Sequence, residues 1–261
     1  MAWRCVLMFC RVAEMDCSVR KVGQSRVSDA DRVVLSAQRL MDADFGGRRL
    51  SQFSADGCRF DRCRFDGAVV DSASFGAGRR VSEYVGCSFD GAKLRMGPGG
   101  YARFVDCTFE NTVIEGWFCF AVEVVGCTFS GRLKKVVFNG SVPPDDQGVA
   151  GRKTNMFEGN DFSRAKLVDV DFRTGIDLTK QRLPVGEEYT YFGDAAAAVR
   201  RARIAYNSWE DPELKERARA LLVLMERNVA AGQGQLLMRC DDFPRADQPA
   251  IRALLAAGSQ A

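Results

Sequence analysis

The chain contains no histidine. That absence removes the commonest general base, the Ser–His and Cys–His nucleophile pairs, and every histidine-ligated zinc site. Its ten cysteines form no CxxC pair, which excludes zinc ribbons and dithiol redox motifs. No apolar run approaches the ~18 residues of a membrane span. Nor is there an excess of charge. Thirty-seven basic against thirty-four acidic residues give neither a nucleic-acid footprint nor an acidic surface.

Phosphate loops and nucleophile elbows are missing as well. The "GPGG" at 97–100 lacks the strand–turn–helix setting of a phosphate cradle and reads as a corner turn. Glu187–Glu188 and Asp241–Asp242 are adjacent carboxylates, and neighbours in strand or helix do not converge on one point. The chain is therefore read as no enzyme, with no cofactor and no metal. "MAWRCVLMFCRVAEM" at the N-terminus is greasy, but Arg4 and Arg11 interrupt it and no small-residue cleavage site follows. It is read as no signal peptide, with Met15 a second candidate start. Cysteines without a secretion signal suit a reducing cytoplasm and free thiols.

What is present is a beat of five. "CRFDRCRFDGAVVDSASF", residues 58–75, places a small residue first, a large apolar one two places later, and polar residues between. Helices repeat at 3.6 and strands at 2, so neither explains it. A longer interval overlies the short one. Cys87, Cys107 and Cys127 lie twenty apart, as do Phe89, Phe109 and Phe129, and again Phe45 and Phe65. Phe65 to Phe89 is twenty plus a four-residue insertion, and Phe129 to Phe162 is twenty plus thirteen.

A repeat of twenty made of four fives predicts a coil with four five-residue sides. One column stacks Phe45, Phe65, Phe89, Phe109, Phe129 and Phe162; the next stacks Leu50, Val70, Leu94, Ile114 and Leu167. A third holds Phe75, Cys119 and Phe172, and a fourth Phe60, Phe104, Val124 and Phe157. A single coil cannot bury its inward residues, so coils must stack with parallel pairing. Cys58, Cys63, Cys87, Cys107 and Cys127 occupy the small inward position. Stacked parallel side chains keep their Cβ atoms near 4.8 Å, too far for the ~3.8 Å of a disulfide, so these thiols are read as core.

"CRFDR", "CRFDG", "CSFDG", "AKLRM", "CTFEN", "CTFSG", "NDFSR" and "AKLVD" resemble the motif of the pentapeptide-repeat proteins. The resemblance covers about 140 residues, from near Val33 to near Leu183. It implies a right-handed four-sided parallel β-helix. At Arg80, Gly99 and Lys134 the central position is not apolar, and bulged or looped turns are expected there.

The domain plan that follows is an N-terminal segment or cap at 1–30, a β-helix at 31–184 with a loop insertion at 140–153, and a helical subdomain at 185–261. In the last, Asp194 is placed to cap a helix whose Ala195, Ala198, Val199, Ala202 and Tyr206 share a face. Asp211 and Pro212 open a second, with Leu214, Ala218, Leu221 and Met225 as its stripe and Gly232 as its stop. A third short helix runs through Ile251, Leu254 and Leu255. Two roles stay open for the stripe: capping the β-helix end, or a homodimer interface. Arg200, Arg201, Arg203, Lys215, Arg217 and Arg219 interleave with Glu210, Glu213 and Glu216, which reads as a solvated face rather than a phosphate site.

Two functions remain. One is a scaffold for protein–protein interaction, with Asp145, Asp146, Arg152 and Lys153 on the loop as partner contacts. The other comes from the resemblance. Qnr-like members protect DNA gyrase and topoisomerase IV, some by mimicking DNA with acidic faces, others needing protruding loops. Asp61, Asp66, Asp71, Asp90 and Glu110 follow core positions directly, but Arg59, Arg64, Arg95, Lys134 and Arg173 dilute them. Direct nucleic-acid binding and membrane insertion are not expected.

Overall fold

The computed structural model describes residues 31–97 and 99–259. The expectations about the N-terminal cap and the alternative start at Met15 lie outside the described residues.

The chain is a parallel β-solenoid followed by a helical region. One sheet contains β1 (Asp31–Ser36), β3 (Arg49–Asp56), β5 (Val69–Ser74), β7 (Lys93–Met96), β9 (Thr108–Glu115), β10 (Phe118–Cys119), β12 (Thr128–Asn139) and β14 (Asp161–Arg173). The other contains β2 (Arg39–Met41), β4 (Arg59–Asp61), β6 (Ser82–Val85), β8 (Tyr101–Val105), β11 (Ala121–Val125) and β13 (Phe157–Glu158). Apart from β9 and β10, which share a sheet, successive strands alternate between the sheets, and each pairs in parallel with a counterpart one coil away.

The register follows the twenty-residue interval. Leu50 lies beside Val70, then Leu94, Ile114, Leu133 and Leu167. Phe60 lies beside Tyr84, then Phe104, Val124 and Phe157. The rings of Phe45, Phe65, Phe89, Phe109, Phe129 and Phe162 stack face to face, with successive centroids 4.6–4.8 Å apart. That spacing is the interstrand distance itself, so the ladder of hydrogen bonds and the ladder of rings reinforce each other. Leu94, Ile114, Leu167, Cys87, Cys107 and Cys127 are buried in the same core, none more than 2% exposed.

Three of the five small inward thiols have a backbone partner on the preceding coil, while Cys58 and Cys127 donate to the carbonyls of Asp56 and Val125 two residues before them. Cys63 donates to the Leu40 carbonyl at 3.6 Å, Cys87 to Phe60 at 3.4 Å, and Cys107 to Tyr84 at 3.4 Å. All seven described cysteines are free thiols.

The three irregular positions each have a physical cause. Arg80 is exposed because the four inserted residues form a turn at 76–80, and Tyr84 takes the column position, its hydroxyl donating to the Phe75 carbonyl. Lys134 is displaced because β12 is one residue shorter than both neighbours between Thr128 and Gly131. Leu133 therefore fills the column, and Asn111 on β9 absorbs the extra residue at φ 53°. Around Gly99 and Gly100 neighbouring coils touch backbone to backbone. A Cβ on Gly100 would overlap the Gly76 carbonyl oxygen, and one on Gly99 the Phe118 carbonyl oxygen. The "GPGG" stretch is thus a close approach as well as a turn.

The C-terminal region has its own core, centred on Ala198, Ala202, Leu221, Met225 and Leu254. The helices α2 (Ala195–Ser208) and α3 (Pro212–Ala230) start where the caps place them: Asp194 accepts from the Ala197 amide, and Asp211 from Glu213 and Leu214. The third helix is Gln248–Ser259, and a one-turn helix α1 (Gln147–Ala150) lies earlier, in the loop; the third is therefore α4. The antiparallel pair β15 (Tyr189–Phe192) and β16 (Leu236–Arg239) has no signal in the beat of five.

This region sits on the last coil. The Gln233 amide oxygen accepts from Gly175 and Ile176 at 3.0 Å each, and its nitrogen donates to the Ile176 carbonyl at 2.8 Å. Gln235 accepts from Leu178, and the Tyr189 hydroxyl accepts from the Leu167 amide. Backbone groups that an open solenoid end would leave unpaired are satisfied in this way. Ala218, Leu221 and Met225 are fully buried against the other helices of the same chain, with Leu214 half-buried at the edge. A homodimer through that stripe would have to open this core, so the stripe itself offers no outer face.

Candidate functional site

The longest excursion from the solenoid leaves β12 at Gly140 and returns at Lys153. Its first half is shaped by proline: Pro144 opens a 3-10 turn, Pro144–Asp146, which runs into α1. Gly151 ends α1 at φ 69°, where a side chain would be strained. The base is pinched shut by Val142 N–H to the Lys153 carbonyl at 2.9 Å and Asn155 N–H to the Gly140 carbonyl at 2.8 Å. Val142 and Ala150 pack on Ala121 beneath it.

The four charged residues of the loop divide into two pairs. Asp145 and Lys153 are exposed. Asp146 and Arg152 are half-buried, and each has a partner within the protein. Asp146 accepts from the Tyr101 hydroxyl at 2.6 Å, and that bond, with burial, raises the phenol above its usual range. Arg152 is largely buried. It donates to the carbonyls of Ala121 at 2.9 Å and Ala150 at 3.1 Å and lies 3.4 Å from Glu123. Burial lowers its pKa, partly offset by Glu123.

Arg152 is therefore a clamp that ties the loop to the solenoid wall. Arg152→Met is expected to cost about 2 kcal/mol or less overall. Local opening should speed exchange of the Val142 and Asn155 amides by about tenfold or more while solenoid amides such as Phe104 stay unchanged. Hydrogen exchange resolved by residue checks this.

Beside the loop lie residues that a sequence reading by columns passes over. Phe118 and Phe120 are 40% and 42% exposed, on either side of buried Cys119, and Met156 is 44% exposed. Asn155, next to Met156 in sequence, ties that segment to Phe120: its amide donates to the Phe120 carbonyl at 2.9 Å and to the Asn139 carbonyl at 2.8 Å. A groove of about 390 Å³ runs alongside, walled by Phe120, Tyr101 and Asp146 and floored by Gly76 and Gly100. The available signal was "WFCFAV" at 117–122, apolar at consecutive positions where a half-buried strand alternates.

Much of the charge on the solenoid wall and the helices is paired. Arg59 pairs with Asp61 and Glu83, Arg62 with Asp42, Arg64 with Asp66, and Arg164 with Glu110. Asp90 accepts from the Glu110 amide at 2.8 Å. On the helices Arg203 pairs with Glu226, Arg217 with Glu213 and Arg219 with Glu216, while Arg201 donates to the Gly258 carbonyl. No group of three or more metal-ligating side chains occurs among the described residues. Among them, too, no helix is long and apolar enough to cross a membrane.

No family model matches the chain, and no curated protein does. Two solved structures that it resembles are trypsin-treated variants of QnrB1, a plasmid-mediated fluoroquinolone resistance protein. The first is 13% identical, with a TM-score of 0.27 over 58% of this chain and 78% of that one. The second is 16% identical, with a TM-score of 0.17 over 58% and 77%. At those values the likeness carries no functional weight, and the repeat fold stands on the chain's own parallel register.

Proposed function

We propose that this protein is a non-catalytic scaffold that binds a protein partner through the flank carrying the 140–153 loop. The observation that supports it is the exposure of Phe118, Phe120 and Met156 beside a loop held in one shape by Arg152 and Asn155. Aromatic and methionine side chains are enriched at interface cores, and a clustered exposed patch is uncommon on a surface with no partner. A pre-shaped loop lowers the ordering cost of association. Asp145 and Lys153 supply charge at the rim.

The test is affinity capture from a native extract. The wild-type chain is compared with a Phe118→Ser/Phe120→Ser variant and with one in which residues 143–152 are replaced by a short Gly-Ser link. The reading expects proteins retained by the wild type to be lost from both variants while solenoid amides such as Phe104 keep their exchange protection. An unchanged captured set would sink it.

The topoisomerase-directed alternative raised by the family resemblance asks for a run of carboxylates without counter-charges. Asp61, Asp66 and Glu110 are neutralised by arginines along the wall, which weighs against DNA mimicry and ranks this reading second. A gyrase supercoiling assay with and without a quinolone separates the two. Inhibition or rescue that depends on the loop would reverse the order.

A further inference from the structure

The last coil and the C-terminal region enclose a cleft of about 630 Å³, remote from the loop in sequence and built by different elements. Lys166 reaches it from β14, Glu187 and Glu188 from the segment before β15, Arg239 from β16, and Arg252 and Leu255 from α4. The adjacent glutamates do not converge by themselves; the fold brings cations from three other elements to the same cavity.

The pattern of pairing is uneven. Arg239 is matched, by Asp242 at 2.7 Å and Asp241 at 3.2 Å. Its side chain is 9% exposed, and its Nε is buried without a hydrogen-bond partner. Among the described residues Lys166, Arg252, Glu187 and Glu188 make no ion pair. Arg252 directs Nε to the Cys240 sulfur at 3.4 Å and Nη2 to the Gln248 amide oxygen at 3.4 Å, neither of them a carboxylate.

Beside the matched Arg239 and Asp241, two cations and two carboxylates thus line one cavity with no ion pair among them. A ligand with a single charge would satisfy one set and leave the other. A zwitterion satisfies both, and the volume lies within the ~300–1,000 Å³ of small-ligand sites, room for a few residues of peptide. Leu255 provides an apolar wall for short side chains. We propose that this cleft binds a short zwitterionic peptide, its carboxylate on Lys166 and Arg252 and its ammonium on Glu187 and Glu188. The assignment does not rest on the loop-bearing interaction surface.

Calorimetric titration of the full chain with trialanine, N-acetyl-trialanine and trialanine amide tests it. Trialanine should bind saturably at one site, and loss of either terminal charge should weaken it about tenfold or more, the equivalent of one charge contact. Arg252→Gln should weaken trialanine but not the amide, and Glu188→Gln should weaken trialanine but not the acetylated peptide. No saturable heat with the wild type up to about 10 mM, near the weak limit of specific binding, overturns the proposal. So does equal binding of all three peptides, a result that needs no variant to fold.

Discussion

Phe89→Ala is expected to destabilise the protein by about 3–5 kcal/mol, the usual loss for a buried phenylalanine. Phe89 is fully buried in mid-stack, 4.7 Å from the Phe65 ring and 4.6 Å from Phe109. Edges of Phe75 and Phe104 meet it at 5.4 and 6.0 Å. Truncation leaves a void that the coil cannot close, because its backbone is paired on both sides: Phe89 N–H bonds to the Thr108 carbonyl, and Phe65 N–H to Ser88. In a solenoid each coil contacts only its neighbours, so a gap in the middle weakens two interfaces at once. Urea denaturation checks the value. Phe120→Ala, on the exposed flank, should fall within about 0.5 kcal/mol of wild type. A loss below ~1 kcal/mol for Phe89→Ala would show that the column relaxes around the void.

The solenoid was legible where the repeat was strict. Cys87, Cys107 and Cys127 with Phe89, Phe109 and Phe129 keep an unbroken interval, and interval is all that parallel stacking needs. Legibility failed where the chain gains or loses a residue. Tyr84 and Leu133 are column residues that counting in fives misplaces, because one follows an inserted turn and the other a strand one residue short. Phe138, lying beside Cys119 and Phe172, was passed over for the same slip.

The helices of the C-terminal region were readable from their caps, since Asp194 and Asp211 act on amides two or three residues away. Their setting on the last coil was not. Gln233 reaches Gly175 across fifty-eight positions, and no local pattern encodes that distance. The loop shows the same division. Its length and its prolines mark it as an excursion, but Asp145 and Asp146 are adjacent and identical, and only the Tyr101 hydroxyl makes one of them structural. Arg152 looks like a charged tip until Ala121 and Glu123 are seen beneath it. Charge predicts exposure on average; a partner across the fold decides the individual case.

Alkaline pH should unfold this protein well before its arginine pairs titrate. Burial, helped by neighbouring Cys87, pushes the Cys63 thiol from its ordinary 9.0 up to about 11. Burial also raises Tyr84 and Cys119, and Cys87 and Cys107 go up chiefly through the thiol beside each in the stack, with burial adding to it. The folded state therefore holds these protons more tightly than the unfolded chain. By linkage their stabilising effect is complete below pH ~9 and is lost as pH rises through 9 to 11 and beyond. Cys63 alone, displaced by about two units, accounts for about 2–3 kcal/mol of that loss, and the other groups add to it. Urea midpoints measured in reductant from pH 7 to 11, at fixed ionic strength, should stay level to about pH 8.5 and then fall steeply. Cys63→Ala removes one titrating group and should shallow the fall. A midpoint that stays flat across 9 to 11 would mean the stacked thiols ionise as readily inside the solenoid as in the unfolded chain. Burial and the neighbouring thiols would then confer no preference for the protonated form.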